Sequence, residues 1–330
     1  MQSLLKIEDL SIGYTDKILV EQINCSVNEN EFVVLLGKNG IGKSTLIHSV
    51  LGFQSYQKGR ILLNGLDVKQ MSHKQMAQQV AVVFSKLHQV PQIKVFELLR
   101  LARIPHQSYL KSTNQTEDDL INRVLNLVGI TDLKYRYANE LSEGQLQLVM
   151  IARALVQDTS LLILDEPTAN LDLENQLRVF ELIKKLKEET NLSIVMITHD
   201  AALGLSFADK IWWIEEGRLI EDAPEDLAFQ YQIIPKLSGN YLQYNQEKGL
   251  YTMMNHQYNQ ITKINLPSSE YIYWINKGLE RLGINLSENR LDSIKVFEKN
   301  IIFEEQNFKS IYSFLNYIKQ HEKHYNNRSE

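Results

Sequence analysis

The segment GKNGIGKST at 37–45 sets Gly37, Gly42, Lys43 and Ser44 in the spacing G-x-x-x-x-G-K-[ST]. Each residue type answers a need of phosphate chemistry. Glycines let backbone N–H groups turn inward and approach an anion closely. A helix starting near Gly42 points unsatisfied N–H groups and a positive dipole end at the same place. Lys43 adds a point charge for the β- and γ-phosphates, and the Ser44 hydroxyl is a hard oxygen suited to Mg²⁺. A glycine-rich turn of no function would satisfy the pattern too. The strand-like run EFVVLL (31–36) before it and the helix-competent sequence after it favour nucleotide binding.

A second apolar run, LLILDE (161–166), delivers the adjacent acids Asp165 and Glu166. An acid ending a strand is commonly a solvated turn. Beside a phosphate loop, Asp165 is placed to hold Mg²⁺ and Glu166 to orient and deprotonate an attacking water. A third run, LSIVMITHD (192–200), brings His199 to a strand end, from which it could reach a γ-phosphate.

The elements that must position these residues are short. Up to about residue 225, apolar strands alternate with amphipathic helices, predicting an α/β layer structure. Runs apolar throughout fit parallel strands covered on both faces, and such sheets place ligands at their carboxyl ends. Between about 87 and 158 helical spacing replaces the strand signal, predicting a helical subdomain, with Thr116 as a helix cap. After APEDLAF the composition shifts, and ten of the 15 Tyr lie from Tyr231 onward. A hairpin turning at Lys248–Gly249 is expected there, then a helical stripe of Ile272, Ile275, Leu279 and Leu282 stopped by Gly283. A second hairpin in SIKVFEKNIIFEE and a last helix with Phe308, Ile311, Leu315 and Ile318 on one face complete the tail. The predicted fold is an α/β P-loop domain over 1–228, with a small C-terminal α+β domain over 235–330. The latter carries no motif tied to chemistry, and its aromatic residues read most simply as core.

Composition narrows the class. A chain of 330 residues, 44% hydrophobic and 23% charged, is ordinary for a globular protein of two domains. A net charge of −5 argues against binding nucleic acid by phosphate neutralisation. The single cysteine, Cys25, excludes an internal disulfide and suits a reducing cytoplasm. No signal peptide is apparent, and no run approaches the roughly 18 apolar residues of a membrane span.

These pieces, with LSEGQ at 141–145, resemble the nucleotide-binding subunit of ABC transporters over residues 1 to about 225. The resemblance implies an ATPase using ATP and Mg²⁺ on the cytoplasmic face of the membrane. It matches Tyr14 to the aromatic that stacks on adenine, and GKNGIGKST, with Asn39, Gly40 and Thr45, to the Walker A loop. LLILDE matches the Walker B strand, ANLD ending at Asp172 the D-loop, and His199 the switch histidine. LSEGQ matches the family signature, normally with glycine where this chain has Glu143. It further implies a head-to-tail dimer in which Ser142, Gly144 and Gln145 of one copy complete the ATP site of the other. Permease subunits are implied partners, and through them a solute-binding protein.

The family places a glutamine touching Mg²⁺ and the catalytic water at the end of the strand occupied here by VVF (82–84); Ser85 takes that position. A serine hydroxyl can ligate Mg²⁺ but is shorter. The next segment, KVFELLRLARIPH, resembles importers of ferric siderophores, haem and cobalamin at Val95, Glu97, Leu98, Arg103, Pro105 and His106, with Ala102 in place of glycine. The leading expectation is therefore an importer ATPase for an iron-siderophore cargo. A soluble ABC ATPase without transport, and an ATP-gated regulatory module, are the competing readings.

Overall fold

The computed structural model describes residues 3–14, 17–85, 90–107, 115–169, 171–199, 207–227, 242–245, 250–253, 274–279, 282, 284, 294–297 and 300–325. The chain divides into two compact units, Met1–His199 with Trp212–Glu221, and Asp200–Ile211 with Asp222–Glu330.

The first unit is built on two sheets. Strands β1 (Ser3–Tyr14), β2 (Lys17–Asn28), β4 (Lys58–Leu63) and β5 (Leu66–Asp67) form an antiparallel sheet in the order β2-β1-β4-β5. The β1–β2 register shifts between Ile7 and Leu10, and Asp9 there adopts a φ of 45°, as a bulge requires. This antiparallel layer departs from the expected alternation of strand and helix. Its strands mix buried with exposed or half-buried positions, whereas the runs that dominated the sequence are apolar throughout.

The second sheet has the order β10-β9-β3-β8-β7-β6, from β3 (Phe32–Gly37), β6 (Val80–Val83), β7 (Leu161–Asp165), β8 (Ser193–Ile197), β9 (Lys210–Glu215) and β10 (Arg218–Asp222). The pairings β3–β8, β8–β7 and β7–β6 are parallel, Leu35 opposite Ile197 and Val83 opposite Leu164. All six residues of β3 and all five of β8 are buried, as strands covered on both faces must be. Helix α1 (Lys43–Val50) follows β3 and buries Leu46, Ile47 and Val50. These join Val33, Leu35, Ile163, Val195 and Trp212 in one core.

Helix α2 (His73–Gln79) leads into β6, after which α3 (Val95–Leu101), α4 (Gln115–Val128) and α5 (Glu143–Val156) fill the expected helical segment. An isolated bridge between Lys94 and Tyr137 is the strand-like pairing described within it. Helix α4 begins at Gln115, so Thr116 lies inside the first turn rather than capping it, and Glu117 and Asp118 complement the helix dipole. Helix α6 (Leu173–Glu189) connects β7 to β8.

In the second unit β11 (Leu242–Asn245) pairs antiparallel with β12 (Leu250–Met253), while the Lys248–Gly249 turn lies outside the described residues. Residues 274–279 are helical, with Ile275 and Leu279 buried; Ile272 and Gly283 lie outside the described residues. Strands β13 (Lys295–Phe297), β14 (Asn300–Phe303) and β15 (Gln306–Phe308) form an antiparallel meander followed by helix α7 (Ile311–Tyr325). The third strand was not anticipated, and it removes Phe308 from the last helix. Phe308 nonetheless packs with Phe314, ring centroids 5.6 Å apart, beside Ile311, Leu315 and Ile318. The apolar periodicity was thus a real core face read across an element boundary.

Candidate functional site

Four neighbouring strands of the parallel sheet end on candidate residues. Strand β3 ends at Gly37, β8 stops two residues before His199, β7 ends at Asp165 with Glu166 next, and β6 stops two residues before Ser85. Because the order is β3-β8-β7-β6, these groups share one carboxyl edge, where an open parallel sheet takes its ligand.

The loop between β3 and α1 carries Lys38, Asn39 and Gly40 exposed to solvent. Gly40 has φ +75° with nothing within 4 Å of where a Cβ would stand, so the backbone there is open to a ligand. Gly42 has φ +121° and is the N-cap of α1; no side chain caps that end, leaving its first N–H groups for an anion. The Lys43 ammonium is held under the loop by the carbonyl oxygens of Gly37 at 2.7 Å and Lys38 at 3.1 Å. Burial pushes its pKa down, and the charges of Glu166 and Asp165 work against that shift. Ser44 is exposed in the first turn, while Thr45 is buried.

Asp165 is half-buried, and its carboxyl is held above the usual range by burial first and by the charge of Glu166 second. His48 and Lys43 act in the opposite direction. Sequence reasoning passed over His48, although it stands four residues after Ser44 and so on the same helical face. Its ring meets Phe84 edge-on at 6.1 Å and Phe53 at 6.3 Å. Phe84 precedes Ser85, which is half-buried.

Glu166 has a φ of 48°, unusual for a residue with a side chain and typical of a position held by its surroundings. Its N–H donates to the Ile197 carbonyl at 3.0 Å, tying the end of β7 to that of β8. Its Oε1 stands 3.8 Å from Nδ1 of His199, an exposed side chain. The donor set suits Mg²⁺: Ser44 and Asp165 offer hard oxygens beside a loop and helix end shaped for phosphate.

The remaining candidates lie elsewhere on the fold. Tyr14 ends β1 and is 61% exposed, as a stacking platform requires. Ser142 caps α5 through a reciprocal box: its Oγ accepts from the Gln145 N–H at 3.3 Å, and Gln145 Oε1 accepts from the Ser142 N–H at 3.2 Å. Glu143 is exposed in the first turn of α5, where an acid favours the helix dipole. Asp172 caps α6 by accepting from the Asn175 N–H at 2.8 Å. Among the described residues, these hydrogen bonds of Ser142, Gln145 and Asp172 stay local to their own helix ends. A separate cavity of about 320 Å³, lined among others by Leu127, Leu155 and Leu186, contains none of the candidates. Among the described residues, no helix is long and apolar enough to cross a membrane.

Residues 20–169 match the family model described as ABC transporter. The chain is 33% identical over 232 residues to the petrobactin import ATP-binding protein FpuD of Bacillus anthracis, covering 69% of this chain and 84% of that one. It is 34% identical over 218 residues to the iron(3+)-hydroxamate import ATP-binding protein FhuC of Bacillus subtilis, covering 66% and 81%. Among solved structures, CbiO1 of Clostridium perfringens, part of the ABC transporter complex CbiONQ, superposes with a TM-score of 0.63 at 27% identity. That match covers 72% of this chain and 95% of CbiO1.

Proposed function

This chain belongs to the ABC transporter family of ATP-binding proteins, and we propose that it powers import of a ferric siderophore or a related iron, haem or cobalamin compound. It is an ATPase that uses ATP with Mg²⁺. One observation carries the site reading: four adjacent strand ends of a parallel sheet gather a phosphate loop, a pair of acids and a histidine at one edge.

In this reading Asn39, Gly40, the first N–H groups of α1 and Lys43 hold the β- and γ-phosphates. Ser44 and Asp165, with Ser85 beside them, would hold Mg²⁺, which would supply charge neutralisation for the phosphates. Glu166 accepts a proton from water as its oxygen attacks the γ-phosphorus. The bond between that phosphorus and the β,γ-bridging oxygen breaks, and ADP and phosphate leave. His199 donates to a γ-phosphate oxygen and, 3.8 Å from Glu166, helps orient it. Tyr14 stacks on adenine. A second copy of this chain supplies Ser142, Gly144, Gln145 and Asp172 to the same nucleotide. The site works on the cytoplasmic face of the membrane, docked on permease subunits that receive cargo from a solute-binding protein.

The cargo assignment is supported by the names of the relatives and by Val95, Glu97, Leu98, Arg103, Pro105 and His106. In that segment His106 and Arg103 both reach the end of α5, bonding the Gln157 carbonyl at 2.7 Å and the Val156 carbonyl at 3.0 Å. Purification of the chain from solubilised membranes, together with ferric-siderophore uptake by cells carrying Lys43→Ala, tests the proposal. Recovery with a multi-span membrane protein and loss of uptake are expected. Normal uptake in the variant would overturn the cargo assignment.

A second reading, an ATP-gated module with little turnover, draws on Ser85 and Glu143. ATP-driven dimerisation with no phosphate released by the intact assembly would favour it.

A further inference from the structure

Gly144 is buried, although Ser142 and Glu143 immediately before it are exposed. What covers it is the side chain of Asn175. A Cβ on Gly144 would stand 2.3 Å from Asn175 Cγ, 2.4 Å from its Oδ1 and 2.7 Å from its Nδ2. Gly144 does not adopt positive φ, so space rather than backbone freedom demands glycine here. The atoms concerned are the end of the half-buried Asn175 side chain, so a Cβ at 144 would have to displace that side chain from its seat.

Asn175 also faces the loop before α6. Its N–H is the one capped by the Asp172 carboxylate. Next to it, Gln176 Nε2 donates to the Leu171 carbonyl at 3.0 Å and to the Thr168 carbonyl at 3.4 Å. The first turn of α6 therefore holds the Thr168 and Leu171 carbonyls and the Asp172 carboxylate on one side and seats the start of α5 on the other. The start of α5 is itself stiffened by the Ser142–Gln145 box.

We propose that Asn175 is a positioning residue: seated on the Cα of Gly144 while its N–H is held by Asp172, it sets the spacing between the two segments that reach a nucleotide in the second copy. This rests on the reading that Ser142, Gly144, Gln145 and Asp172 act across a dimer. Glycine at 144 is then required by Asn175 within the same chain, in addition to any contact with the triphosphate.

The test is a rescue on the full-length chain, reading kcat and KM for MgATP and ATP-driven dimerisation in a Glu166→Gln background. Gly144→Ala, an overpacking change, is expected to raise KM by about tenfold or more and to suppress the dimer. Asn175→Ala removes all three crowding atoms, so Gly144→Ala combined with Asn175→Ala should return to within about threefold of Asn175→Ala alone. Asn175→Asp, which keeps the side chain's shape, should restore the KM loosened by Asn175→Ala, and a KM change without a matching change in melting temperature separates positioning from helix stability. A double variant as impaired as Gly144→Ala overturns the proposal. Failure of the dimer reading is distinguishable: the Glu166→Gln chain would stay monomeric in ATP and Ser142→Ala would leave KM untouched, while melting temperatures would still show whether Asn175→Ala relieves the crowding of Gly144→Ala.

Discussion

Oε1 of Glu166 and Nδ1 of His199 stand 3.8 Å apart, each just beyond the end of one of two hydrogen-bonded parallel strands. The pairing Asp165–Ile197 sets the height of both residues above the sheet. The Glu166 N–H on the Ile197 carbonyl then turns the glutamate out of the strand direction into its left-handed backbone conformation. That conformation costs about 1–2 kcal/mol for a residue with a Cβ, so the surrounding ladder holds it in place.

His199→Ala should lower single-turnover hydrolysis by about 10- to 100-fold, the worth of a hydrogen bond to a charged oxygen, with a smaller effect on ATP affinity. Rapid-quench measurement of one turnover isolates that step. An unchanged rate would remove His199 from the γ-phosphate.

Lys43→Ala should weaken nucleotide binding by about 1.5–3 kcal/mol. Titration with a fluorescent ATP analogue measures this directly. Because burial already disfavours the Lys43 charge, melting temperature without nucleotide should fall little. Unaltered affinity would count against the phosphate-loop role.

Ser85→Ala should raise the Mg²⁺ concentration needed for half-maximal hydrolysis by about 2- to 10-fold, the range of a single neutral hydrogen bond. Ser85→Gln should keep or improve that requirement. An unchanged Mg²⁺ dependence in both variants would mean that Ser85 takes no part in the metal site.

Asp226 gives the C-terminal unit a pH dependence. The carboxylate is buried and accepts from the Ile311 N–H at 3.1 Å and the Tyr312 N–H at 2.8 Å, capping α7 from 85 residues away. Burial, with Asp222 and Glu225 nearby, raises its pKa to about 6 against the lowering effect of those two N–H groups. The folded unit thus holds the proton more tightly than the unfolded chain. Its contribution to stability is fully present below about pH 4 and is lost as pH rises through about 6, a difference of roughly 2–3 kcal/mol. Amide exchange at the start of α7 between pH 4 and 8, against Asp226→Asn, checks the sign. The wild-type excess in protection should shrink as pH rises, and an identical pH profile in the two would refute it.

The strand ends that carry the glycine-rich loop, both acids and His199 were legible because parallel strands buried on both faces write themselves as unbroken apolar runs, and those residues stand where the runs stop. The left-handed Glu166 was not, since nothing in DEP marks it. Strand β15 was hidden because its two-residue turn uses Glu304 and Glu305 at φ 48° and 66°, positions where Asn-Gly would have signalled a hairpin. The Asp226 cap and the Asn175 contact on Gly144 join segments remote in sequence, and no local spacing encodes either. His48 was within reach, since its spacing of four residues from Ser44 puts both on one face of α1.

Glu166→Gln tests Glu166 as the base for ATP hydrolysis, because the amide keeps the side chain's shape and loses its basicity. MgATP turnover by the full-length chain is expected to fall by about 10²- to 10⁴-fold while ATP affinity stays within about threefold. Turnover equal to wild type, with ATP still bound, would contradict it.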